Sequence, residues 1–266
     1  MLTLLLIIIA LLLFATYCRK GHEGLKDLRG WGYAHRGLHG YGIPENSMAA
    51  FKAALDGGYG VELDVHLLKD GNLAVIHDSL LNRTTGVPGR IEDLTTEELK
   101  NYPLEGTEQT IPEFMDVLTL FNGKAPLIVE LKPVDGNHAA LCQATCDMLE
   151  GYKGVYCVES FDPRCVAWLK KNKPQIIRGQ LTENFLKSRN DLPDYQKFML
   201  THNLMNVLGR PDFVAYKFAD RKDSFTMELC RKLWGAQGVT WTLKTQEEYD
   251  IAVKEGWLPI FEGFRP

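Results

Sequence analysis

The chain has 266 residues, 45% of them hydrophobic, enough to bury one sizeable core or two small ones. Its formal net charge of −4, with 30 basic residues dispersed along the chain, argues against a nucleic-acid partner; small phosphates stay open, since they need only local positive charge or a metal. Six cysteines (Cys18, Cys142, Cys146, Cys157, Cys165, Cys230) form no C-x-x-C pair and read as ordinary buried or half-buried thiols.

The first predicted element is the uncharged run 2–18, LTLLLIIIALLLFATYC, followed at once by Arg19 and Lys20. It lies at the lower limit of the roughly 17–25 residues that span a bilayer. No Lys or Arg precedes it, and Tyr17 beside Cys18 spoils a lipoprotein-type cleavage site. Residues 1–20 are therefore expected to be an uncleaved transmembrane helix. Arg19, Lys20, Lys26 and Arg29 all follow the run, which puts the main domain on the cytoplasmic side of a single-pass membrane protein.

A Gly-rich linker, 21–31, leads into a domain covering 32–266. Strand candidates follow at 32–37, 60–66, 73–78, 127–132, 155–161, 175–181, 213–218, 238–243 and 258–263. Several are nearly continuous apolar runs, as in parallel strands covered on both faces. Between most of them lie helical patterns such as NSMAAFKAALDGG, HAALCQATCDMLEGY, PRCVAWLKKN, SFTMELCRKLWGAQG and TQEEYDIAVKEG. Repeated β–α units predict a TIM-type (β/α)8 barrel. An open doubly wound sheet is the competitor, but no Gly-rich phosphate loop follows the first strand. Only LLKDGN separates the second and third candidates, too short for a crossover helix, so either the barrel is locally modified there or one of the nine candidates belongs to a side hairpin. The polar stretch 79–110 reads as an insertion over one end of the barrel.

Ionisable residues gather at the ends of the first four candidates. His35 and Arg36 end the first, and Glu62 and Asp64 share one face of the second. His77 and Asp78 end the third, and Glu130 and Lys132 repeat the two-apart spacing on the fourth. Singly, each reads most simply as a salt-bridge partner or a satisfied histidine. Together they are hard to explain as packing, because buried charge is costly unless paired or metal-bound. Three inward carboxylates, Glu62, Asp64 and Glu130, call for a cation, and all-oxygen ligands suit Mg²⁺ or Ca²⁺. Two histidines, a cation, Arg36 and Lys132 are equipment for a phosphate ester, with one imidazole activating the attacking oxygen and the other protonating the leaving alkoxide.

The series HRG, PENS, ELDVHLLKDG, AVIHD, RTTG and ELK, in this order, resembles the glycerophosphodiester phosphodiesterase family. The resemblance is most specific over 35–78 and weakens towards the C-terminus. It implies a TIM-type barrel that uses one divalent cation to hydrolyse glycerophosphodiesters to glycerol 3-phosphate and an alcohol. It further implies His35 and His77 as the catalytic pair and Glu62, Asp64 and Glu130 as metal ligands. Arg36 and Lys132 would contact phosphate, while Glu45 and Trp241 would line the mouth, Trp241 as a wall for the glycerol moiety. The chain departs from the family where Lys244 follows Leu243 instead of an asparagine, and where Gly263 and Phe264 replace a Thr-Asp pair.

The leading expectation is a membrane-tethered, metal-dependent phosphodiesterase acting on glycerophosphodiesters, a small-molecule or lipid-derived phosphodiester being its partner. A lysophospholipase D or sphingomyelinase-D-like enzyme on the same barrel is the alternative, and the anchor, by holding the mouth near lipid, gives it weight. A catalytically dead, membrane-bound binding protein is the third reading, opposed by the intact histidines and carboxylates.

Overall fold

Each of the nine strand candidates overlaps a strand in the computed structural model, which describes residues 1–266. The strands are β1 Tyr33–His35, β2 Gly60–Leu67, β3 Leu73–Val75, β4 Leu127–Leu131, β5 Tyr156–Ser160, β6 Arg178–Thr182, β7 Phe213–Lys217, β8 Gln237–Leu243 and β9 Trp257–Phe261. All but β3 run parallel, and they close into a barrel because β1 pairs with both β2 and β9. The (β/α)8 expectation holds.

β3 is the side hairpin. It lies antiparallel to the outer end of β2, with Val65 opposite Val75 and Leu67 opposite Leu73. Gly71, at φ 87°, takes the left-handed conformation that lets so short a connection reverse. The returning strand carries the chain back to the barrel mouth, where the Ile76 amide donates to the Asp64 carbonyl at 3.1 Å. His77 thus reaches the mouth by a hairpin and not, as the sequence suggested, at the end of a parallel barrel strand.

The helices start where capping residues stand. Ser47 Oγ accepts from the Ala50 amide at 3.1 Å ahead of Met48–Asp56, and Asp162 accepts from the Arg164 amide at 2.8 Å ahead of Pro163–Asn172. His138–Glu150 and Gln246–Lys254 form as the periodicity predicts. The 224–238 pattern yields only a short π-type turn, Leu229–Leu233, ended by Gly235 at φ 72°. Helices at Phe114–Phe121 and Asp194–Thr201 were not anticipated.

Strand alternation sorts the core. Val61, Leu63 and Val65 of β2 and Leu127, Val129 and Leu131 of β4 face outward into the main cluster beneath the helices. Tyr33, Ile128, Cys157, Leu181, Val239 and Ile260 point inward and fill the barrel. Leu25 and Leu28, on a short helix, join this inner cluster, and Tyr33 Oη donates to the Leu28 carbonyl at 2.6 Å. The stretch read as a linker therefore helps close the end of the barrel where the strands begin. Residues 79–110 contribute Leu81, Ile91, Leu94, Leu99 and Leu104 to a separate nine-residue cluster with Ala74 and Ile76. All six cysteines are free and buried.

The membrane expectation is overturned. The N-terminal helix covers only Leu2–Thr16, 15 residues, or about 22 Å at 1.5 Å each against a hydrocarbon core of about 30 Å. No helix is long and apolar enough to cross a membrane. The end of the apolar run is used for packing instead. Tyr17 leaves the helix, Cys18 is buried in the core, and Trp234 Nε1 donates to Thr16 Oγ1 at 3.3 Å. Arg19 then pairs with the buried Asp212. A single-pass protein with a cytoplasmic domain is not supported.

Candidate active site

The alternation that fills the barrel with Ile128 and Cys157 also points Glu130 and Glu159, two residues further along β4 and β5, into its mouth. Glu62 and Asp64 of β2 and His35 of β1 complete the ring, since His35 is in register with Glu62 and Asp64 with Glu130. Oxygens of Glu62, Asp64 and Glu130 lie within 4.8 Å of one another, and all three residues are buried. Lys132 Nζ is 2.8 Å from Glu130 Oε1 and 3.2 Å from Asp64 Oδ1. The second contact is an ion pair without hydrogen-bond alignment, so Asp64 Oδ1 has no hydrogen-bond partner. Asn46 Nδ2 donates to the other oxygen of Asp64 at 2.8 Å, and the Arg36 amide donates to Glu62 Oε2 at 3.2 Å.

Burial pushes the Glu62 carboxyl well above its ordinary range, and the charges of Asp64 and Glu130 push it further. Glu130 is pushed up to about 7, chiefly by burial and then by Asp64, with Lys132 opposing. Burial opposes ionisation of Asp64 as well, but Lys132, His77 and Arg36 outweigh it and hold that carboxyl low. One firm negative charge beside two carboxyls that resist ionising is a set of hard oxygen donors short of positive charge. That set and the orphan oxygen of Asp64 fit a divalent cation.

The two histidines are held alike. His35 Nδ1 is 2.5 Å from Glu262 Oε2, and its Nε2 is 3.9 Å from Glu62. His77 Nδ1 is 2.6 Å from Asp78 Oδ1, and Arg83 donates to Asp78 Oδ2 at 2.5 Å. Burial, then Lys132 and Arg36, lowers His77 to about 4, against the pull of Asp64. Arg83 also donates to Glu45 at 2.6 Å, and Glu45 accepts from Arg36 at 3.0 Å. Glu45 is thus placed at the rim between two guanidiniums.

His77, Glu130 and Phe161 border both a groove of about 670 Å³, which runs past Arg83 and Lys132, and a narrow pocket of about 40 Å³ that also touches His35, Glu62 and Trp241. Trp241 stands edge-on to Phe161 at 5.7 Å, and its buried Nε1 has no partner. One barrel mouth therefore brings together all nine residues singled out from the sequence.

A sequence profile of the glycerophosphoryl diester phosphodiesterase family matches residues 35–261. The chain belongs to this family. Glycerophosphodiester phosphodiesterase 1 of Rattus norvegicus is 39% identical over 242 residues, which cover 81% of this chain and 72% of that protein. A Bacillus altitudinis glycerophosphodiester phosphodiesterase is 38% identical over 161 residues, 56% of this chain; the match spans 65% of that enzyme, just under two thirds of its length. Among solved structures, an Oleispira antarctica phosphodiesterase in complex with the product sn-glycerol-3-phosphate has the same fold. Its TM-score is 0.73 at 22% identity, over 90% of this chain and 94% of that one.

For this family member, four site residues escaped the sequence reading. Asn46 belongs to the PENS turn already singled out, and only the fold shows it reaching Asp64. Glu159 and Glu262 stand at or just past the ends of β5 and β9, the same position that drew attention to Glu130. Arg83 lies in the RTTG stretch, with no local sign that it would bridge Asp78 and Glu45. His66, two residues beyond Asp64 on β2, is buried with Nδ1 2.7 Å from Glu92 and Nε2 3.2 Å from the His77 carbonyl, tying the insertion to the site.

The turn after β1 is sterically demanding. Arg36 (φ 54°) and Gly37 (φ 80°) are both left-handed, and a Cβ on Gly37 would stand 2.8 Å from Ala50 Cβ and 2.9 Å from its carbonyl carbon. Gly37→Ala is expected to cost about 2–4 kcal/mol from backbone strain and overpacking together, measured as a lower denaturation midpoint at unchanged m-value.

Proposed function

We propose that the chain hydrolyses glycerophosphodiesters to sn-glycerol 3-phosphate and an alcohol. His35 and His77 move protons, Glu62, Asp64 and Glu130 hold one Mg²⁺ or Ca²⁺, and Arg36 and Lys132 contact the phosphate. The observation that carries the reading is the single mouth where two histidines, each with Nδ1 on a carboxylate, face a buried triad of carboxylates. The Oleispira phosphodiesterase of the same fold holds sn-glycerol-3-phosphate, the product expected here.

A cation in the triad would neutralise negative charge on the phosphoryl oxygens. The chain's own groups do the rest. With Nδ1 occupied, each imidazole offers Nε2 to the substrate. One ring takes the proton of the attacking oxygen, and the other gives a proton to the alkoxide as its P–O bond breaks, a transfer worth roughly 10²–10⁴-fold. Lys132 and Arg36 add fixed positive charge without reorganising, because the carboxylates already hold them. Trp241 is the wall for glycerol, with its free Nε1–H available to a hydroxyl. Glu45 fixes Arg36 at the rim.

A substrate panel tests this reading. Glycerophosphocholine should release sn-glycerol 3-phosphate with added Mg²⁺ or Ca²⁺ and at least 10²-fold more slowly after chelation. Full activity in the chelator removes the metal assignment. Turnover of a lysolipid well ahead of glycerophosphocholine replaces the substrate class.

A further inference from the structure

Glu262 lies one residue beyond the stretch that the family profile matches. It follows β9, which pairs with β1 on one side and β8 on the other. Its amide donates to the Leu243 carbonyl at 2.9 Å, which fixes the backbone at the end of β8. Three adjacent strand ends thereby place His35, Glu262 and Lys244 in one row. Glu262 Oε2 is 2.5 Å from His35 Nδ1, and Glu262 Oε1 pairs with Lys244 Nζ. His39 Nε2 is the remaining neighbour, 3.9 Å from Oε2. Across the mouth, Asp78 and Arg83 repeat the pattern on His77.

We infer that Glu262, held by Lys244, is the positioning residue of His35. Its carboxylate accepts from Nδ1–H, so the ring keeps that proton and turns Nε2 towards Glu62. When Nε2 takes a proton from an attacking oxygen, Glu262 stays ionised and faces the imidazolium, and the positive charge is matched where it forms. Lys244 prevents the carboxylate from turning out to solvent. The inference rests on His35 being a proton-transfer residue, as proposed above.

The test compares Glu262→Gln, which keeps an acceptor without the charge, with Glu262→Met, which keeps the volume without the acceptor. Both are assayed on glycerophosphocholine with added Mg²⁺ or Ca²⁺. Glu262→Met should lower kcat by about 10–100-fold with KM within about twofold, and Glu262→Gln should fall between it and the parent. In a His35→Asn background, Glu262→Met should cost nothing further, because the group it orients is gone. Nitrogen NMR of the histidine rings should show His35 protonated at Nδ1 in the parent and losing that preference in Glu262→Met. A kcat within twofold of the parent, or a loss that adds in full to that of His35→Asn, overturns the role. An unchanged His35 tautomer in Glu262→Met also overturns it, and this readout needs no turnover. Full activity in His35→Asn would instead refute the acid–base reading of the site while the NMR result still decides the contact.

Discussion

His77→Ala is expected to lower release of sn-glycerol 3-phosphate by about 10²–10⁴-fold, with little change in thermal stability. The imidazole is partly open to the groove and fills no core, so removing it leaves no buried cavity. Its partner Asp78 keeps Arg83, so no charge is stranded. The loss should therefore appear in kcat, with KM for glycerophosphocholine nearly unchanged, in steady-state assays alongside a melting curve. A variant that keeps full activity would remove His77 from the chemistry.

Glu62→Ala should match that loss and add a thermodynamic signature. Without a cation, Glu130 has its carboxyl pushed up to about 7, against an ordinary 4.5. Between those values the folded protein keeps a proton that the unfolded chain has released. Stability therefore falls as pH rises through the window, by on the order of 3 kcal/mol. A divalent cation held by the triad would take the place of that proton. The rise in melting temperature on adding Mg²⁺ or Ca²⁺ should accordingly be small at pH 5 and larger at pH 7.5. Glu62→Ala, with one ligand gone, should abolish most of the rise at either pH. A pH-independent metal shift, or one that survives in Glu62→Ala, would count against the three-carboxylate site.

Local patterns in the sequence carried most of the barrel. Continuous apolar runs marked the strands, and two-residue spacing put Glu62 with Asp64 and set Glu130 at a strand end. The six-residue LLKDGN connection announced either a modified barrel or a hairpin, but not that a hairpin would bring His77 back to the mouth. That depends on the Ile76–Asp64 backbone bond, a contact between distant segments. Glu262 was legible in principle, since a carboxylate just past an apolar run is the signal that singled out Glu130. What hid it was the neighbouring Gly263 and Phe264, which drew attention as departures. Hydropathy misled at the N-terminus because it counts apolar residues and not where a helix stops. Tyr17 and Cys18 satisfy the count but belong to the packed surface of the barrel.

His35 sits within the closed barrel, whose opening would require the whole sheet to part, whereas His77 is carried on an arm braced by a cluster of nine buried residues and by His66. The proposed acid–base pair is thus shared between two units of unequal resilience. On the proposed mechanism, heat or denaturant would abolish activity by loosening the arm alone, leaving an intact barrel without His77 in place, so inactivation need not coincide with global unfolding.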